Sequence, residues 1–279
     1  MTAGVETVRE LRERTGAGIM DCKAALLESK GDMEKAIDFL RKKGMASAAK
    51  RAGREAKEGL IGVQVNGADA VLAEVNCETD FVARTDDFKA LLDLAIKETF
   101  AKGEQAASSD SVTARVAELS GKIGEKILFR RSKKVHGTGA FFSYVHSNQK
   151  LGILIEIGLT KSDSKNNAAF KELGKDLAMQ VAASNPLCIL RSEVPAAAIE
   201  REKAIYREEV KGKPDNIVEK ILLGKLEKFY QGQCLLEQPF IKEEKKSVKA
   251  LLEEVSKQLG DTLQIKQFVR YQLGETVSQ

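Results

Sequence analysis

Tryptophan is absent from this chain, and Phe and Tyr together supply only 5% of its residues. So few aromatics leave no stacking platform of the kind that holds single-stranded nucleic acid. Charge of one sign is scarce too. Lys and Arg number 45 against 41 Asp and Glu, a net charge of +4. A chain built to grip a phosphate backbone carries a larger or more clustered excess. Histidine occurs twice, at His136 and His146, and neither falls in an HExxH-type ligand pattern. No serine sits in a GxSxG elbow, and no GxxxxGK[ST] phosphate loop is present. Gly16-Ala17-Gly18 is too short for a dinucleotide fingerprint and follows a predicted helix, not a strand. Carboxylate pairs such as Asp86-Asp87 suit solvated turns. These absences turn the reading from an enzyme toward a binding protein, with no cofactor and no metal ligand set expected.

Cysteine is sparse and scattered. Cys22, Cys77, Cys188 and Cys234 are far apart, which excludes CxxC zinc and redox signatures. Isolated cysteines on apolar elements behave as small buried hydrophobes, and a reducing compartment fits them. The opening MTAGVETVRELRERTG has no apolar signal segment, and no apolar run reaches membrane-spanning length. The longest, Leu151 to Leu159, is broken by Gly152, Glu156 and Gly158 and reads as a buried strand. A cytoplasmic protein without a membrane role is expected.

What is present suffices for two or three compact units: 279 residues, 43% hydrophobic and 31% charged. Residues 5–43 predict three short helices. Val5, Val8 and Leu11 share one face and Thr15-Gly16 ends it; Cys22, Ala25 and Leu26 continue the apolar face as far as Gly31. Asp32 caps a third helix, in which Met33, Ala36, Ile37 and Leu40 recur at helical spacing and Gly44 closes the run. Residues 45–58, Ala-rich and charged, read as a solvated helical linker rather than an RNA-binding arm.

At Gly59 the period changes to two. Ile61, Val63 and Val65 alternate, Asn66-Gly67 marks a tight turn, and Val71 to Val75 returns as a hairpin strand. Helices follow over 86–101 and 111–124, then a strand near 126–135. The same order recurs with a hairpin of 141–145 and 151–159, a helix over 165–183, another over 246–259, and a strand over 263–271. Between the helices of the second copy lies an insertion, 196–211 and 216–230 joined by Gly212-Lys213-Pro214, that reads as an antiparallel helical hairpin. The fold class is α+β. Its units are 1–54, 55–138 and 139–279, the last carrying the insertion over about 190–232.

The segment Cys77-Glu78-Thr79-Asp80-Phe81-Val82-Ala83-Arg84 joins a strand to a helix. Thr79 suits a helix cap, and Asp80 suits the positive end of the first turn. Phe81 is either folded inward or held out to enter a partner. Spacing alone favours the inward, structural reading.

Two motifs, LRERTGAGIMDCKAAL over 11–26 and EVNCETDFVAR over 74–84, together with KIGEKILFRR, SYVHSNQKLGILIE, VAASNP and QPF in order along the chain, resemble the elongation factor Ts family. The resemblance implies a nucleotide exchange factor, not an enzyme, that binds elongation factor Tu and promotes GDP release so that GTP can rebind. It implies a UBA-like three-helix unit docking on the GTPase and two repeated α/β subdomains. It also implies a helical hairpin at 196–230 that supports a homodimer in some members. The TDFV segment, Thr79, Asp80, Phe81 and Val82, is then expected near the partner's magnesium and phosphate site, with further contacts at Lys23, Ile123, Gly124 and His146. Some members carry a further C-terminal helix. Here Gly274 to Gln279 alone follow the last predicted strand, so that contact is not expected.

Two other readings account for less. A nucleic-acid or ribosome binder would use the linker and Arg130, Arg131, Lys133 and Lys134. A ubiquitin-type adaptor would leave most of the chain without a purpose.

Overall fold

The computed structural model describes residues 4–212 and 214–276. Lys213 of the hairpin turn and residues 277–279 therefore lie outside the described residues. Helices α1 (Val5–Thr15), α2 (Ile19–Glu28) and α3 (Met33–Lys50) open the chain around a small core of Leu11, Cys22, Ala25, Leu26 and Ala36. Gly16 ends α1 in the left-handed conformation, where a side chain would be strained, and its N–H bonds Arg12 O at 2.7 Å. Asp32 caps α3 by accepting the Lys35 N–H at 3.1 Å.

Gly44 does not close α3; the helix continues to Lys50. The glycine serves packing instead. A Cβ on Gly121 would lie 3.1 Å from Gly44 Cα, so α3 crosses α6 (Asp110–Ile123) at a glycine-to-glycine contact. This contact seats the three-helix unit on the remainder of the chain.

Strands β1 (Glu58–Asn66), β2 (Asp69–Cys77) and β3 (Leu128–His136) form an antiparallel sheet with β2 in the centre. Strands β4 (Ala140–Val145), β5 (Leu151–Gly158) and β8 (Gln264–Gln272) form a second with β5 in the centre. In each, a hairpin is followed by helices and then by a strand returning to its second strand. The first set holds α5 (Asp86–Lys102) and α6; the second holds α7 (Ala168–Ser184) and α10 (Val248–Leu259). The register also agrees. It slips directly after a buried glutamate of the central strand, between Glu74 and Val75 and between Glu156 and Ile157.

Alternation explains the layering. Val71, Ala73, Val75 and Cys77 face α5 and α6, meeting Phe88, Leu91 and Leu119. Ile153, Ile155 and Ile157 face α7 and α10, meeting Phe170, Leu177 and Leu252. The opposite faces meet each other through Ala70, Leu72, Val135 and Leu154. Gly152 lies directly against Ile61, where a Cβ would come within 2.5 Å of the isoleucine Cγ2.

The insertion is a pair of helices, α8 (Ala196–Glu209) and α9 (Asp215–Gln233). Its root is fixed by Arg191, which pairs with Glu227 and Glu237 and stacks 4.7 Å over Tyr230. Buried Cys188 and Cys234 lie side by side there. Leu223 and Ile205 remain exposed along the arm. A short strand pair, β6 (Pro239–Phe240) and β7 (Glu243–Ser247), follows and was not expected from the sequence.

Asp261 ties the α10–β8 turn to the end of β5. Its carboxylate accepts the N–H of Thr160 at 2.9 Å and of Thr262 at 2.7 Å, and the Thr160 hydroxyl. Hydrogen bonds from Ser164 and Thr160 hold its carboxyl below the ordinary 3.8. Because the folded state favours the ionised form, the stabilisation is complete above the ordinary value and is lost as pH falls through it toward the depressed one. Asp261→Asn is therefore expected to lower the thermal midpoint at about pH 6, with the gap to the unsubstituted chain closing below about pH 4. Scanning calorimetry across that range checks it, and a gap of unchanged size at about pH 2 would contradict it.

Candidate partner-binding site

Residues 78–84 leave β2 and make a single turn of helix, α4 (Asp80–Ala83). The turn is too short to show a helical period in sequence. Thr79 caps it, its hydroxyl oxygen accepting the Val82 N–H at 3.5 Å. Val82 and Ala83 are buried in the core beneath the first sheet. On the other side of the turn stands Phe81, 78% exposed. The inward reading that spacing favoured is thus corrected. The seat under α4 is filled by Val82 and Ala83, and the ring is left in water.

Both ends of this segment are fastened. The Glu125 carboxylate takes the Thr79 N–H at 3.1 Å and the Thr79 hydroxyl at 2.7 Å. The Glu78 carboxylate takes the Lys126 N–H at 2.6 Å and Arg54 at 3.2 Å. The backbone bond from Lys126 is the main reason that the Glu78 carboxyl is held below its ordinary value. Burial pushes the neighbouring Cys77 thiol up to about 12. Downstream, Thr85 caps α5 by accepting the Phe88 N–H at 3.3 Å. Asp80 pairs with Arg84 at 2.7 Å across one exposed turn, a contact of little strength in water. The carboxylate is free to change partner.

Of the four further contact residues expected, Ile123 and Gly124 adjoin this turn, and His146 opens a loop that faces it. Ile123 packs against the first core, and Gly124 turns the chain with φ 86 so that Glu125 reaches back to Thr79. The loop opened by His146 forms the far wall of a groove of about 410 Å³, with Ser147 to Lys150 facing Asp80, Ala83 and Arg84. His146 itself is exposed, its Nδ1 2.8 Å from the Tyr144 hydroxyl. Lys23 stands apart, exposed on α2. Its unit meets the remainder through the α3–α6 crossing and the Gly16 turn beside Lys122.

Sequence reasoning did not single out Glu78, Glu125 or Arg54. An acidic residue beside a helix cap or just past a terminal glycine is too common a pattern to mark a clamp between positions 46 residues apart. The Asp80–Arg84 spacing was readable as an i,i+4 pair.

The basic cluster of the nucleic-acid reading is occupied internally. Arg130 and Arg131 both pair with Glu74, Lys133 with Glu104 at 2.8 Å, and Lys134 with Asp69 at 3.3 Å. In the linker, Arg51 bonds Ser120 O, Arg54 bonds Glu78, and Lys57 pairs with Glu55. His136 sits 2.8 Å from Asp69 at a strand end. Among the described residues no helix is long and apolar enough to cross a membrane.

Comparison with known proteins agrees with the motifs. The family described as "Elongation factor TS" matches residues 78–275. The chain is 46% identical to an elongation factor Ts of Prosthecochloris aestuarii, with 96% of this chain and 97% of the relative covered. It is 43% identical to one of Nitratidesulfovibrio vulgaris, covering 99% and 97%. It is 44% identical to one of Clostridioides difficile, covering 98% and 93%.

Proposed function

This chain belongs to the elongation factor Ts family of translation factors, and we propose that it frees GDP from a partner GTPase of the elongation factor Tu type by pressing Phe81 and Asp80 toward the partner's magnesium and phosphate site. The observation that carries this reading is the 78% exposure of Phe81 on a turn held at both ends. A ring left in water gains its burial energy, roughly 1.5–3 kcal/mol, only on entering a partner. That energy is absent from the free chain and is spent where the ring lands.

Bound GDP is held by backbone N–H groups of a phosphate loop and by Mg²⁺, whose octahedral shell tolerates little distortion. A wedge beside that shell weakens the ion's hold, and a carboxylate there competes for the polar groups around it. Asp80 can supply this carboxylate, because its bond to Arg84 is a surface pair that costs little to exchange. The wedge does not eject the nucleotide alone; the wider surface, including Lys23 on the three-helix unit and the loop after His146, supplies the remaining binding.

Linkage sets the form of the cycle. Whatever factor the chain takes from GDP affinity, GDP takes from the chain's affinity. The chain therefore accelerates release, and nucleotide supply decides what rebinds. The test loads an elongation-factor-Tu-type GTPase with fluorescent GDP and follows release with and without the chain. Faster release that saturates with chain concentration is expected. An unchanged rate at all concentrations would remove the reading.

A further inference from the structure

We infer that Glu125, with Glu78 as its counterpart, is a positioning residue that fixes the direction in which Phe81 points. The inference rests on the exchange reading and names the device that sets its wedge.

The two glutamates form a reciprocal clasp. Glu125 takes the backbone N–H of Thr79, and Glu78 takes the backbone N–H of Lys126, the residue next to Glu125. The segment before the wedge and the turn after α6 thus each place a carboxylate on the other's main chain. Lys126 extends the clasp with its ammonium on Ala52 O at 2.6 Å and Arg54 O at 2.8 Å. Bonds of this kind, with one charged partner, are stronger than neutral ones.

The clasp matters because α4 cannot hold its own orientation. A helix of four residues makes too few internal bonds to be stable alone. Its soft motion is a roll about its axis, and neighbouring residues stand about 100° apart around that axis. A roll of one step would lift Val82 out of its seat and carry Phe81 toward the core. Thr79 is the only residue of the turn's entrance bonded to another element through both its N–H and its hydroxyl, and both bonds end on Glu125. With its proton committed to Glu125, the hydroxyl presents its lone pair to the Val82 N–H. Glu125 therefore sets both the cap and the roll.

The test has two readouts on the full chain. The first is GDP release from the loaded GTPase, resolved into the rate at saturating chain and the half-saturation concentration. Glu125→Gln is expected to lower the saturating rate about tenfold and to move half-saturation less than about twofold. Placed on Phe81→Ala, the same substitution is expected to change the rate less than about 1.5-fold, because there is no ring left to position. Thr79→Val, which removes the hydroxyl donor to Glu125, should lose about as much as Glu125→Gln.

The second readout needs no partner: fluorine NMR of a fluorinated phenylalanine placed at position 81. A single exposed resonance that broadens or splits in Glu125→Gln is expected. Equal rates for Glu125→Gln and the unsubstituted chain, or losses that multiply with Phe81→Ala, would overturn the inference. If Glu125→Gln fails to fold, Thr79→Val decides by the same two measures. If the unsubstituted chain releases no GDP, the exchange reading fails, and the fluorine spectrum decides the clasp: a resonance indifferent to Glu125→Gln ends it.

Discussion

Replacing Phe81 by Ala is expected to leave the chain folded and to slow GDP release from its partner by about ten- to a hundredfold. The two halves of that expectation have one cause. The ring is 78% exposed, so truncating it opens no cavity, and stability should move by no more than about 0.5 kcal/mol. On the proposed reading its further burial comes only in the complex, where truncation would lose roughly 1.5–3 kcal/mol. Val82, one residue on, gives the opposite pattern. It is buried, and Val82→Ala should cost about 1–3 kcal/mol of stability through the cavity left under α4. Thermal unfolding and fluorescent-GDP release, run on both variants, separate the roles. A folded Phe81→Ala chain that releases GDP at the unsubstituted rate would leave the wedge without support.

Phe81 also shows where sequence reading stops. The hairpins were legible because alternation and Asn66-Gly67 are local signals, and β1 and β2 turn at Gly67 with φ 60. The Asp32 cap and the faces of α1 to α3 were legible for the same reason. The direction of Phe81 was not local. It is decided by Val82 finding a seat among residues of α5 and β2, and by Glu125, 46 positions after Thr79. Spacing gives an aromatic beside a strand end its commonest fate, which is burial, and the outward direction was read only from the resemblance. Gly44 misled in a related way. Glycine is a stop signal when only neighbours are visible, yet here it thins α3 where Gly121 crosses, 77 residues downstream by numbering. The β6–β7 pair escaped because Pro239 and Phe240 are too few to show a period.

Glu74→Gln is expected to be among the most damaging single changes away from the wedge, costing about 3–5 kcal/mol. Glu74 has no exposed surface and receives both Arg130 and Arg131, at 3.3 and 2.7 Å, on a central strand. It also accepts the Gly274 N–H at 3.1 Å, which draws the segment after β8 onto the first sheet. Arg131 continues to Glu275 at 2.7 Å and stacks 3.9 Å over Tyr271, so the same cluster joins both sheets. Neutralising Glu74 leaves two guanidinium groups short of their shared anion inside the molecule. Glu156 offers a control that the fold itself supplies, since it occupies the matching place before the matching bulge. Among the described residues its carboxylate meets only neutral donors, Gly139 N–H at 2.8 Å and the Gln267 amide at 2.6 Å. A glutamine there keeps an acceptor for one of them and strands no cation, so Glu156→Gln should cost about 1 kcal/mol. Denaturant unfolding of the two variants measures the difference. Equal costs would mean that the paired arginines contribute nothing beyond what a buried hydrogen-bonded carboxyl provides.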